Sequence, residues 1–143
     1  YIEAIDLDDQ REEFHAGIAL AYEKIGNLRK AETHYRKSAN CGLEQSRYWC
    51  LFISFLLKNK LFDKAERTLL RADKYSFGAD LLYCRSAFYF LTESRENALA
   101  TLEEALLENS SEHTLLFSLI PELKEDREVV SMIRYFSLEE NKN

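Results

Sequence analysis

The sequence predicts an all-α protein built as a solenoid of antiparallel helix hairpins, and three observations lead to this fold class. First, three segments align at intervals of 34 and 33 residues, a period typical of helix-turn-helix repeats. Second, apolar residues recur at helical spacing between Gly or Asn stops. Third, four Gly, one Pro and the lack of β-branched runs leave little material for a sheet. The repeat carries a small, a large and a small residue at the same offsets: Ala31, Tyr35 and Ser38, then Ala65, Leu69 and Ala72, then Ala98, Leu102 and Ala105.

The first unit shows how each hairpin is predicted to form. Residues 14–24 place apolar side chains at the i, i+3, i+4, i+7 spacing of an amphipathic helix, and Gly26 with Asn27 then ends it. A second helical pattern runs over residues 28–39 and stops at residues 40–42. Two antiparallel helices that cross at about 8 to 10 Å need a small side chain at the contact point. Ala31, Ala65 and Ala98 are predicted to be those contact points.

The units resemble the tetratricopeptide repeat (TPR), whose pattern is W-x₂-L-G-x₂-Y, then A-x₃-F, then P. Only the second unit carries the leading Trp, none carries the closing Pro, and Ala19, Ile53 or Ser86 replaces the middle Gly. The resemblance covers nearly the whole chain and implies a right-handed solenoid. The corresponding residues are His15, Ile18, Ala19, Tyr22, Gly26, Ala31 and Tyr35 in the first unit; Trp49, Phe52, Ile53, Leu56, Ala65, Leu69 and Ala72 in the second; and Leu82, Arg85, Ser86, Tyr89, Ala98, Leu102 and Ala105 in the third.

The two ends of the chain depart from the pattern in different ways. Residues 1–9 resemble the close of a truncated repeat and there is no initial Met, so the chain is expected to be a piece of a longer solenoid. Residues 111–138 have helical spacing without the repeat signature, and Pro121 must begin or end a helix there. This atypical unit is predicted to be a capping helix pair, with Val129, Val130, Met132, Ile133 and Phe136 facing the preceding repeat. The predicted single domain therefore comprises repeats at 12–43, 46–77 and 79–109, the cap, and a tail at 139–143.

The TPR resemblance implies a concave groove that binds a peptide or helix against the first helix of each unit. The groove is mainly apolar, and Leu57, Tyr83 and Phe90 could together form an anchor pocket for one large side chain. The family's clamp for a C-terminal carboxylate is not matched, because Ala16, Leu20, Leu51 and Cys84 occupy its positions. The groove is either open to a partner or filled from within by the cap or by upstream repeats. Its predicted residues are Glu13, Ala16, Leu20, Lys24, Arg47, Cys50, Ser54, Leu57, Asp80, Tyr83, Ala87 and Phe90.

Composition narrows the classes of partner. The net charge of −6 and the pI near 5.2 argue against nucleic acid, and Lys and Arg are not expected to cluster into a stripe. No apolar run is long enough to cross a bilayer, so membrane insertion is not expected. Three sparse Cys favour a reducing compartment, which predicts a cytoplasmic location.

The sequence predicts no catalytic, cofactor or metal site. Cys41 and Cys50 are nine residues apart without a companion His, and Cys50 and Cys84 are expected to be buried apolar thiols. Glu12 and His15 form a single E-x-x-H pair, where a di-iron site needs two pairs and two further Glu, so a surface salt contact is expected instead. No phosphate-binding G-x-x-x-x-G-K pattern occurs.

These observations favour a non-catalytic protein-interaction scaffold, similar to the C-terminal repeat block of a larger bacterial TPR protein. One alternative is a chaperone like the small acidic TPR chaperones of secretion systems, which shield apolar segments of exported proteins. Another is a regulatory domain attached to a catalytic region that this chain does not contain.

Overall fold

The protein is all-α throughout residues 11–92 and 94–142, which are the residues that the computed structural model describes. No strand occurs in these ranges, and none of their helices combines the length and apolar character needed to cross a bilayer. The predicted truncated repeat at 1–9 lies outside them. The α-helices are α1 (Arg11–Lys24), α2 (Leu28–Cys41), α3 (Ser46–Lys58), α4 (Phe62–Ala72), α5 (Ala79–Leu91), α6 (Arg95–Asn109), α7 (Thr114–Leu119) and α8 (Arg127–Lys142), with 3₁₀-helices at Ser110–His113 and Pro121–Glu125.

Consecutive helices pack in pairs, α1 with α2, α3 with α4 and α5 with α6. The turn of the first pair follows the predicted stop, since Gly26 adopts a φ of 84° that favours glycine. Asn27 then begins α2, and its side chain accepts a hydrogen bond from the backbone N–H of Lys30 at 3.2 Å. In the second pair, Lys60 adopts the left-handed conformation with a φ of 60°.

The small residues predicted at the helix crossings are buried. Ser86 Oγ donates a hydrogen bond to the Ala98 carbonyl at 2.8 Å, which fixes the point where α5 meets α6. In the second pair the bulkier Ile53 takes the position that Ala19 and Ser86 hold in the other two pairs. The three crossing alanines and the residues twelve positions before them are all 0% exposed: Ala31 with Ala19, Ala65 with Ile53, and Ala98 with Ser86.

Neighbouring pairs pack through their first helices, since α3 lies against both α1 and α5, and also through α2 with α3 and α4 with α5. Ser46 Oγ donates to Asp80 Oδ2 at 3.1 Å, and the Cys50 and Cys84 sulfurs lie 2.8 Å apart. Both contacts join residues 34 positions apart, which is the length of one repeat. The buried apolar side chains of α1 to α6 form one continuous core together with those of the C-terminal segment.

The C-terminal segment packs on the end of this core. Helix α7 lies against α5 and α3, and α8 lies against α6. Pro121 is the first residue of a 3₁₀-helix, as its missing N–H requires. Of the predicted facing residues, Val129 and Ile133 are buried, whereas Val130, Met132 and Phe136 are half-buried. The Arg95 guanidinium contacts both the Asp126 and the Glu128 carboxylates, which ties the start of α6 to the start of α8.

Candidate functional site

The predicted groove residues lie on α1, α3 and α5, and their exposure divides them into two parts. The residues on α1 and at the start of α3 are accessible, whereas most of those further along α3 and α5 are buried. Glu13, Leu20, Lys24 and Arg47 are exposed; Ala16, Asp80 and Phe90 are half-buried; Cys50, Ser54, Leu57, Tyr83 and Ala87 are buried.

The buried part of the groove lies inside the molecule. Tyr83 is 0% exposed, and its hydroxyl donates to the Asn109 carbonyl at 2.7 Å, where α6 leads into the C-terminal segment. Helix α7 packs against both α3 and α5, and its Leu116 is also fully buried. Leu57 and Tyr83 belong to the core cluster, with Phe90 packed against it. In this conformation the predicted anchor pocket is filled by the protein's own side chains.

The accessible part of the groove is centred on Leu20. This side chain is 47% exposed on α1, and Ala19 is the buried residue of that helix. Glu13 and Lys24 place opposite charges on the same helix. A partner that contacts this surface therefore meets an apolar centre with a charged residue toward each end.

The two buried thiols contact each other. The Cys50 and Cys84 sulfurs are 2.8 Å apart, and Ser54 Oγ lies 3.9 Å from the Cys84 sulfur. The hydrogen bond with Cys84 and the burial of the site raise the pKa of Cys50 well above its usual value. Since the thiolate is the nucleophilic form, this environment suppresses reactivity at Cys50. Both were expected to be buried, but their contact across two repeats was not predicted.

Two histidines stack between α1 and α2. His15 Nδ1 and His34 Nδ1 are 3.0 Å apart, and Tyr22 stacks on the His34 ring. Burial lowers the pKa of both rings; His34 and the cations of Lys37 and Arg11 lower it further at His15, and Lys37 and Lys30 do so at His34. The prediction that Glu12 and His15 form a surface salt contact is therefore wrong, because His15 contacts His34 instead.

The Glu12 side chain contacts Gln45 and not His15. Its Oε1 accepts a hydrogen bond from Gln45 Nε2 at 3.1 Å, and its backbone carbonyl accepts one from the Ser38 hydroxyl. In the ranges 11–92 and 94–142, no group of three or more His, Cys, Asp or Glu residues is arranged to hold a metal ion.

A cationic cleft, which was not predicted from the sequence, lies between α2 and α4. The expectation that Lys and Arg would not cluster is wrong for this surface, where four of them line one cavity of about 200 Å³. Arg36 is on α2; Lys64, Arg67 and Arg71 are on α4, three and four residues apart, so these three share one helix face. We call this cavity the α2–α4 cleft; it is lined by Arg36, Asn40, Trp49, Phe52, Lys64, Arg67, Thr68 and Arg71.

Comparison of the chain with protein-family models, curated proteins and solved structures gives no match. The likeness to TPR proteins therefore rests on the residues of the repeats alone.

Proposed function

We propose that the protein is a non-catalytic scaffold of TPR-like repeats, arranged as a right-handed solenoid, that binds a peptide or helix of another protein. The observation that carries this proposal is the common crossing in all three units. In each of them, two fully buried residues twelve positions apart lie in successive helices. A chain that repeats one hairpin and stacks the hairpins side by side forms an extended surface.

The contacts between repeats support the same proposal. Ser46 with Asp80 and Cys50 with Cys84 join residues one repeat apart. Helices related by the repeat therefore lie side by side along α3 and α5. In TPR-like arrangements these first helices line the concave face, which is where the resemblance places the ligand.

The chemistry of the thiols supports a non-catalytic role. Nucleophilic catalysis requires an accessible thiolate next to a base. Cys50 is buried, its neighbour is a second thiol, and its pKa is raised, so the reactive form is disfavoured. The acidic Asp80 near Cys50 raises that pKa further.

The accessible surface of α1 is the part of the groove that suits a partner. Leu20 offers an apolar contact, and Glu13 and Lys24 can pair with charges of the partner. An amphipathic helix or an extended peptide with one large apolar side chain is the ligand that such a surface fits.

The test is a selection of binding peptides from a displayed library of amphipathic sequences, followed by affinity measurement on two variants. We expect Leu20→Asp to weaken binding of the selected peptides at least tenfold, because a charge replaces the apolar contact. The matched control is Leu107→Asp, since Leu107 is an exposed leucine of α6 and lies outside the groove. Equal affinity of the wild type and Leu20→Asp, or equal losses in both variants, would refute the proposed surface.

A further inference from the structure

The α2–α4 cleft exists because the backbones of its two walls are separated. No Cα atom of α2 lies within 8 Å of one of α4, and α3 packs against both. The gap is bridged at one end by an ion pair, in which the Lys64 ammonium lies 2.9 Å from the Glu32 carboxylate. The α3 residues Trp49 and Phe52 form the floor, and both are buried. The result is a cavity with an apolar base and polar walls.

The charge in the cleft is opposite to that of the whole chain. Arg36, Lys64, Arg67 and Arg71 line it, and no carboxylate is among the lining residues. Glu32 neutralises part of this charge, since it pairs with both Arg36 and Lys64. Among the side chains that the structure describes, in residues 11–92 and 94–138, no carboxylate forms an ion pair with Arg67 or Arg71. A local excess of cations thus remains in a protein whose net charge is −6.

Two of the guanidinium groups are held in place before any ligand arrives. Arg71 lies over the Trp49 ring at 5.8 Å from its centre, and Arg36 lies over the Phe52 ring at 5.7 Å. Arg36 is also fixed by a contact of 2.6 Å to Glu32. Stacking on an aromatic ring leaves the planar N–H edge of an arginine available for an oxyanion. Groups that are already ordered lose less entropy when they bind.

We propose that the α2–α4 cleft binds a phosphate monoester on a side chain of a protein partner. A phosphoryl group carries close to two negative charges and three acceptor oxygens. Several guanidinium groups can therefore donate paired N–H hydrogen bonds to it. The cavity of about 200 Å³ is smaller than the ~300–1,000 Å³ pockets that hold whole small molecules, so it suits one group presented by a larger partner. The acidic chain as a whole disfavours a nucleic-acid backbone, which needs an extended basic surface.

This site lies on different helices from the groove surface at Leu20. The inference that the phosphate is carried by a protein rests on the proposed scaffold function. The inference that the cleft binds an anion does not. If the Leu20 surface binds no peptide, the cleft is still tested by its own ligand.

The experiment is a calorimetric titration in low-salt buffer without phosphate or sulfate. The probes are the pentapeptide Gly-Gly-pSer-Gly-Gly with blocked ends, its unphosphorylated form, inorganic phosphate and a ten-nucleotide oligothymidylate. We expect saturable binding of the phosphopeptide at millimolar concentration or below, competition by inorganic phosphate, and at least tenfold weaker binding of the unphosphorylated peptide. Leu20→Asp should bind the phosphopeptide as the wild type does.

Two double variants locate the site. Arg67→Gln with Arg71→Gln should weaken phosphopeptide binding at least tenfold, while Lys124→Gln with Arg127→Gln, which removes the same charge elsewhere, should not. Arg67→Gln alone leaves the stacked Arg71 in place and should still weaken binding several-fold. The proposal is overturned by equal losses in both double variants, by equal binding of the two peptides, or by the absence of saturable binding. It is also overturned if the oligonucleotide binds more tightly than the phosphopeptide through the same arginines.

Discussion

Replacing Tyr83 by alanine tests whether this part of the predicted groove is core or receptor surface. Tyr83 is fully buried, and its hydroxyl donates to the Asn109 carbonyl at 2.7 Å. Alanine removes the ring and the hydrogen bond, and leaves a cavity between α5 and the C-terminal segment. We therefore expect a loss of stability and no direct loss of a binding contact.

The size of the loss follows from what is removed. Truncating a large buried aromatic residue to alanine costs about 3 to 5 kcal/mol. Tyr83→Phe keeps the ring and removes only the hydrogen bond, which should cost about 1 kcal/mol. With roughly 3 °C per kcal/mol for a chain of this size, Tyr83→Ala should lower the Tm by about 10 to 15 °C. The expected loss of about 3 to 5 kcal/mol is a large part of the roughly 5 to 15 kcal/mol by which a typical domain is stable.

The assay is urea unfolding followed by circular dichroism at the helix band, with thermal melts as a second measurement. Phe90→Ala should cost less than Tyr83→Ala, because Phe90 is only half-buried. Leu20→Ala is the control for an exposed groove residue and should stay within about 0.5 kcal/mol of the wild type. If Tyr83→Ala unfolds at the same urea concentration as the wild type, the inference that Tyr83 is a core residue is refuted.

Two further predictions concern titration and oxidation. The pKa values of His15 and His34 are lowered in the folded protein, so the unfolded chain binds protons at a higher pH than the folded protein does. Stability should therefore fall as the pH drops below about 6.5. Melting curves between pH 7.5 and 5.5 should show this fall in the wild type and a smaller one in His34→Gln; identical slopes would contradict the assignment. Because Cys50 is buried and its pKa is raised, Cys50 and Cys84 should form an intramolecular disulfide when urea partly unfolds the chain and a small disulfide oxidant accepts their two electrons; the product is seen as the loss of two hydrogens by mass spectrometry. In a Cys41→Ser background the linked chain should be more stable by roughly 3 to 4 kcal/mol, and failure of the pair to oxidise even in partly unfolding urea would contradict the contact.

The helical framework could be predicted because it depends on local patterns. Gly26 and Asn27 mark the first turn through their own backbone and side-chain preferences. Pro121 marks a helix start because it lacks an N–H. The crossing alanines follow from the need for a small side chain where two helices meet, and Ala31, Ala65 and Ala98 are all fully buried. Each of these signals lies within one hairpin.

The side-chain sites could not be predicted in the same way because they combine distant helices. The α2–α4 cleft takes Arg36 from one helix, Trp49 from the next and Arg71 from a third. Periodicity shows that a residue faces outward, but not which outward faces come together. A signal was present in the spacing of Lys64, Arg67 and Arg71, which places three cations on one face of α4. The contact of Cys50 with Cys84 had a similar signal, since the two residues are one repeat apart.

The C-terminal segment packs on two of the helices that carry the predicted groove. Helix α7 lies against α3 and α5, and Tyr83 on α5 is fully buried, so it contributes stability. Two other surfaces are accessible, one around Leu20 on α1 and one in the α2–α4 cleft. They differ in chemistry, since the first is apolar and the second is cationic. If both proposals hold, a large apolar side chain and a phosphoryl group are bound at separate places, because the Leu20 surface lacks the arginines and the cleft lacks an exposed apolar contact.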